Sequence, residues 1–276
     1  AGVGVCGPIV TLVSSAAFLV GIGGAPLVSI RMGQKNYRSA RAILANCFLM
    51  LSVIAVALTV VSLLLKEHLL MWFGASENSF VYADQYITIY LLGTFFALMS
   101  TGMNQFIICQ GFAKTGMLSV VLGAVCNIAL DPLFIFVFGM GVRGAAVATV
   151  LSQMVSCLFV LVFLFGKRPV IPITFGNYHW FIMKRVMSVG FSPFLIIAFD
   201  NILIISLNSV IQKYGGAGRG DMLLTCATIL QSFMLMVTMP LGGITTGTQT
   251  VLGYNYGSRR PERIELVEKH IFAMCV

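Results

Sequence analysis

The chain is a succession of long uncharged runs separated by short polar turns. Stretches free of Asp, Glu, Lys and Arg run from Ala1 to Ile30, Ala42 to Leu65, Gln85 to Ala113, Gly144 to Gly166 and Met222 to Ser258. Two more, Thr115 to Gly139 and Val186 to Gln212, are each broken by one acid, Asp131 and Asp200. A helix needs about 20 apolar residues to cross a hydrocarbon core of about 30 Å, whereas a barrel strand needs about ten. An open sheet edge in lipid leaves backbone groups unpaired. The pattern therefore predicts seven complete transmembrane helices, with a further apolar segment opening near Ile271.

Composition points the same way. Hydrophobic residues make up 58% and charged residues 9%, with a mean hydropathy of +0.96. A soluble domain carries about 25% charged residues. This excludes a soluble globular enzyme, a disordered chain and a secreted disulfide scaffold. The seven Cys lie in apolar runs without a CxxC pair and read as small buried hydrophobes. The chain opens inside an apolar run with no basic segment and no small-residue cleavage site, so no signal peptide is expected. It reads as an internal stretch of a longer protein.

The formal charge of +8 is explained by topology. Thirteen of the 17 Lys and Arg fall in the turns at 31–41, 111–117, 166–185 and 257–269. Four (Lys66, Arg143, Lys213 and Arg219) fall on the other side. The positive-inside rule makes the thirteen-residue side cytoplasmic. No nucleic-acid partner is required.

Two cytoplasmic turns resemble each other. Pro26-Leu-Val-Ser-Ile-Arg-Met-Gly33 leads to Lys35, and Gly253-Tyr-Asn-Tyr-Gly257 leads to Arg259. Gly33 aligns with Gly257 and Lys35 with Arg259, and each Gly is expected at a helix C′ position. Six spans separate the equivalent points. An even number preserves direction, so the units are parallel repeats about an axis along the membrane normal, a transporter pattern. The expected organisation is an amino-terminal lobe over 1–170, a linker over 171–185 and a carboxy-terminal lobe over 186–276.

An ionisable group at membrane depth is a functional candidate by default. Asp131 and Asn127 stand at i and i+4, on one helical face. Pro132 frees the carbonyl of Ile128. A carboxylate, an amide and a freed carbonyl suit a hard cation or a proton relay. Thr149 on the next helix lies at a similar depth and adds a hydroxyl. Asp200, near the middle of its span, is the corresponding acid of the second unit. Other deep polar groups are Asn46, Asn104, Gln105, Gln153, Asn208 and Gln231; interhelical hydrogen bonding is their commoner role. Asn104, Gln105, Gln231 and Met234 are candidate cavity residues, Met for its soft surface. His68, His179 and His270 lie near membrane boundaries and receive no role. No HExxH, GxSxG or Walker A occurs, so no enzyme and no cofactor is expected.

The string Asn127 to Thr149 resembles the fifth-to-sixth helix signature of the multidrug and toxic compound extrusion (MATE) family. Gly253-Tyr-Asn-Tyr-Gly257 resembles its eighth-helix end, and Pro26 to Gly33 its second-helix end. The similarity is to the bacterial multidrug-exporter branch and covers the second helix to the start of the ninth. It implies an all-α polytopic membrane protein of twelve helices in two lobes around a central cavity. It also implies Na⁺- or H⁺-driven antiport of amphipathic, often cationic compounds by a monomer in the inner membrane. By the same resemblance, Asn127, Asp131 and Thr149 join an acid of the first helix in a cation site, and Asn104 lines the cavity. Pro193 and Asp200 reproduce the spacing of a sodium-coupled branch. Two alternatives stand beside this reading. A lipid-linked oligosaccharide flippase predicts a cationic cavity, and no Arg or Lys lies deep in a span. A seven-helix receptor does not need the duplication.

Overall fold

In the computed structural model, residues 2–72, 77–214 and 220–275 are described. Arg219 lies outside them, as do the side chains of Asn208, Lys213 and Asp221. The described residues form helices α1 (Gly2–Gly33), α2 (Tyr37–Trp72), α3 (Glu77–Leu92), α4 (Thr94–Ile108), α5 (Ala113–Pro132), α6 (Val142–Phe165), α7 (Trp180–Tyr214), α8 (Gly220–Gly257) and α9 (Pro261–Cys275). A π-helical turn, Leu133–Val137, follows α5. No strand occurs among the described residues. Six helices are long and apolar enough to cross a membrane, and seven spans result if the pair Phe80–Leu92 and Thr94–Ile108 counts as one. This is a multi-pass helical membrane protein.

The helices outrun the uncharged stretches. α7 begins at Trp180, before Lys184 and Arg185, and α9 begins at Pro261, where a turn extending to residue 269 was expected. Charge marks the edge of the hydrocarbon, but a helix continues through the headgroup layer, where its charged side chains are solvated. α9 starts with Pro at its first position and Glu262 in its first turn, both suited to a helix N-terminus. An exposed Glu265–Lys269 pair spans i to i+4 on its surface.

The run Gln85 to Ala113 is not one straight helix. It bends by 54° at Gly93. A side chain there would strike Val150, with a Cβ standing 2.5 Å from its Cγ2. The Gly93 amide bonds to the Tyr90 carbonyl at 2.9 Å, tightening the end of α3. On either side of the bend, α3 and α4 both pack against α1, α2 and α6.

The repeated turns have the same backbone. Lys35 (φ 57°) and Arg259 (φ 55°) are the left-handed residues. The Asn36 amide bonds to the Arg31 carbonyl and the Lys35 amide to Met32; Arg260 to Asn255 and Arg259 to Tyr256 reproduce the pair. Both ends are Schellman motifs. Gly33 and Gly257 are thus not the C′ residues expected from the sequence. They lie inside the last helical turn, and close approach requires them. A side chain on Gly33 would collide with the Tyr254 carbonyl, and one on Gly257 with the Ile30 carbonyl. The 224-residue offset maps one contact onto the other, so α1 and α8 meet across a two-fold pseudoaxis. Ser29 and Gly253, also repeat mates, face each other on that axis.

α1 is the central element and packs against α2, α3, α4, α7 and α8. Its second close crossing is with α7, where Gly23 and Gly190 let the backbones touch. Small residues at such crossings permit tight packing without a hydrophobic drive. Segment 171–179 is fastened to the amino-terminal lobe. Ile171 and Ile173 are buried, and the Ile171 amide donates to Gln110 Oε1 at 2.7 Å. Asn46, fully buried, donates to the Asn177 carbonyl and accepts from the His179 amide. Of the cysteines, Cys226 and Cys275 are exposed, against the expectation that all are buried; they sit on helices α8 and α9, whose surfaces are broadly exposed.

Two outcomes are expected. In a background with the native cysteines replaced, the pair Ser29→Cys and Gly253→Cys forms an intrachain cross-link under mild oxidation, seen as a mobility shift on electrophoresis. Absence of the shift would show that the repeat mates do not meet. Asn46→Ala leaves the Asn177 carbonyl and His179 amide unpaired, at a cost of about 1–3 kcal/mol. Limited proteolysis within 171–179 should accelerate accordingly.

Candidate functional site

The interior of the amino-terminal lobe is polar where four helices converge. Phe18 of α1, Asn104 and Gln105 of α4, Asn127 of α5, and Thr149 and Gln153 of α6 line a cavity of about 500 Å³. Its polar character comes from two stripes at helical spacing. Ser119, Gly123 and Asn127 recur every four residues on α5; Thr149, Ser152, Gln153 and Ser156 face them from α6. Short hydroxyls satisfy the wall internally. Ser156 donates to the Ser119 carbonyl at 2.9 Å, Ser152 to Thr149, and Ser119 lies 3.2 Å from Asn104 Oδ1. Gly123 makes room, because a side chain there would displace the Ser156 hydroxyl.

Asp131 lies one turn beyond Asn127 on the same face of α5. The helix does not break at Pro132 but widens into the π-turn. Phe138 bonds back to Leu133, and Met140 to Phe134. Such turns absorb the ladder gap that proline leaves. Gly144 lets α6 start against the Phe134 carbonyl, which fixes Asp131 beside α6.

Asp131 is half-buried, and its Oδ1 is shielded from solvent without a hydrogen-bond partner. The same holds for Asn127 Nδ2 and Gln153 Oε1. A half-turn of the Asn127 amide presents its oxygen in place of the nitrogen. Unpaired buried polar atoms are costly, at about 1–3 kcal/mol each. Three of them on neighbouring turns mark a place shaped for something other than packing. Among the described residues no three or more His, Cys, Asp or Glu side chains converge. The cluster offers one carboxylate among neutral donors, which suits a monovalent ion or a proton better than a tightly held divalent metal.

Tyr86 completes the cluster, and sequence reasoning missed it. Its hydroxyl stands near Thr149 and within electrostatic reach of Asp131. The Gly93 bend delivers it there. Thr149 donates to the Ala145 carbonyl at 2.9 Å. A tyrosine within an apolar run reads as core; the spacing of Tyr86 and Tyr90 at i and i+4 was its one visible mark.

The structure thus brings Asn127, Thr149, Asn104 and Gln105 to one cavity, with Asp131 one helical turn beyond Asn127 and outside its lining. Asp200 is elsewhere. It is exposed on α7 and lines a separate shallow depression with Leu195, Ile196 and Phe199. Gln231 and the exposed Met234 lie on α8 and do not line the polar cavity.

Tyr86→Phe should lower the thermal stability of the purified protein by about 1 kcal/mol, the worth of one buried hydrogen bond. An unchanged melting temperature would mean that the pair with Thr149 is not formed.

Comparison with known proteins agrees with this architecture. A family model described as MatE matches residues 1–133. "Multidrug export protein MepA" of Staphylococcus saprophyticus is 24% identical over 274 residues, covering 98% of this chain and 59% of the relative. "Probable multidrug resistance protein YpnP" of Bacillus subtilis is 24% identical over 251 residues, covering 90% and 55%. A crystal structure of MATE in the bent conformation superposes with a TM-score of 0.90 at 28% identity, covering 99% of this chain and 61% of that one. An outward-facing multidrug resistance MATE transporter gives 0.90 at 29%, covering 99% and 60%. The chain spans about three fifths of the length of these proteins. Sequence match, relatives and architecture agree that the chain is similar to MATE transporters, with the MatE match lying in residues 1–133.

Proposed function

We propose that this chain provides the amino-terminal lobe and the first helices of the carboxy-terminal lobe of a cation-coupled exporter of amphipathic small molecules. The observation that carries the reading is the unpaired Asp131 carboxylate oxygen, one helical turn from a polar cavity. Its neighbours Asn127, Thr149 and Tyr86 supply oxygens. The relatives' names, multidrug export and multidrug resistance, support the substrate class.

The mechanism follows from differential binding. An ion or proton at Asp131 removes the cost of an unpaired charge, and the neutralised cluster packs differently from the charged one. A ligand shifts a two-state equilibrium only by its difference in affinity for the two states. Here the two states are the lobes closed at the basic end and the lobes closed at the opposite end. Ion occupancy favours one, and substrate in the cavity the other. Na⁺ and H⁺ are both compatible with one carboxylate among neutral oxygens. Asp200 serves as a second cation-coupling residue of the other lobe in this scheme, and Gln231 and Met234 as contacts for substrate.

A lipid-linked oligosaccharide flippase is less well supported, because no Lys or Arg lines the polar cavity to hold a pyrophosphate.

Asp131→Asn is expected to abolish drug efflux from proteoliposomes while leaving the melting temperature within about 2 °C, since the amide retains the shape. Imposing Na⁺ and pH gradients separately identifies the driving ion. Full efflux by the variant would refute the assignment.

A further inference from the structure

A second cavity, of about 600 Å³, opens at the basic end of the bundle, away from the Asp131 cluster. It lies where α1, α2, the fastened segment and the start of α7 meet, and Tyr256 of α8 reaches it. Its charged lining is all of one sign. Arg31, Arg38 and Arg185 face it, with His179, and no Asp or Glu does. Ion pairs among the described residues are Lys66–Asp84 and Lys269–Glu265. The three guanidinium groups therefore have no carboxylate among the described residues. Arg31 spends one donor on Gln34 Oε1 at 2.9 Å. A guanidinium carries five donors in a planar fork that matches phosphate oxygens in pairs.

Three like charges around one cavity are held at a cost unless an anion joins them. The rest of the lining says what kind. Leu27, Ile43, Phe181 and Ile182 give it apolar walls. Phe181, which lines it, and the neighbouring Trp180 are each 74% exposed. Exposed aromatic residues at a helix end mark the headgroup level of a bilayer. The cavity thus lies where lipid phosphates lie, on the leaflet to which the charge pattern assigns the cytoplasm. That leaflet carries anionic lipid, and basic pockets between helices on that side bind such headgroups.

We propose that this cavity is a binding site for the phosphate headgroup of an anionic phospholipid. The phosphate receives the guanidinium forks of Arg31, Arg38 and Arg185, and the acyl chains leave past Phe181 along α7. Because Arg31 and Arg38 belong to the amino-terminal lobe and Arg185 to the foot of α7, one headgroup ties both together. It acts beside the glycine crossings and favours the arrangement closed at the basic end.

The test is lipid retention, which is independent of transport. Native mass spectrometry of the purified protein, loaded with phosphatidylglycerol or phosphatidylcholine, is compared with the double variant Arg38→Gln/Arg185→Gln. Retention of phosphatidylglycerol should exceed that of phosphatidylcholine and fall by about tenfold or more in the variant, as expected for the loss of two phosphate-facing cations. Millimolar inorganic phosphate should not displace the lipid. The variant Arg38→Lys/Arg185→Lys, which keeps the charge and loses the forks, should retain an intermediate amount; this controls for misfolding. Equal retention of phosphatidylglycerol by wild type and the Gln variant would overturn the proposal. Displacement by inorganic phosphate would also overturn it, and would identify a free-anion site.

Discussion

Everything in this arrangement depends on two backbones touching. Where α1 meets α8, and again where it meets α7, helix axes approach until carbonyl oxygens fill the space that a side chain would occupy. Lipid provides no hydrophobic drive for helices to associate, so van der Waals contact along small residues must hold them. The two-fold relation doubles the constraint. Gly33 and Gly257 each accommodate the other's helix, and neither can change alone. The crossings set the height and tilt of α1, and α1 is the wall against which the amino-terminal lobe assembles.

That lobe then solves a second problem, which is how to keep polar groups inside an apolar bundle. Serine and threonine hydroxyls return hydrogen bonds to backbone carbonyls and leave side-chain amides facing a cavity, with one carboxylate a helical turn away. Proline and glycine place the last of these groups. Pro132 opens a π-turn that holds Asp131 next to α6, and Gly93 bends the preceding span until Tyr86 reaches Thr149. The unpaired oxygen at Asp131 is the residue of this economy.

The two cavities divide the labour by charge. The one beside Asp131 contains no cation and suits a cationic guest. The one at the basic end contains three and suits an anion. Separation along the membrane normal keeps them from neutralising each other. The same asymmetry that orients the chain in the bilayer therefore also furnishes a site on its inner leaflet.

The hydrophobic pattern determined by itself that the chain is a helical membrane protein, how many times it crosses, and which turns carry the positive charge. It also contained the 224-residue repeat and the Asn127–Asp131 face, because a helix projects residues four apart onto one side. Tertiary structure alone decided the rest. Gly33 and Gly257 look like helix caps in sequence, and only the neighbouring helix reveals them as contact points. Tyr86 looks like core until a bend 54° wide carries it to Thr149. Asp200 reads in sequence as the corresponding acid of the second unit, and the fold decides which depression it lines. Arg31, Arg38 and Arg185 count as three loop charges until three separate segments fold them around one cavity. Periodicity reports which side of its own helix a residue occupies. What stands opposite that side depends on crossings between distant segments, and no local pattern encodes those.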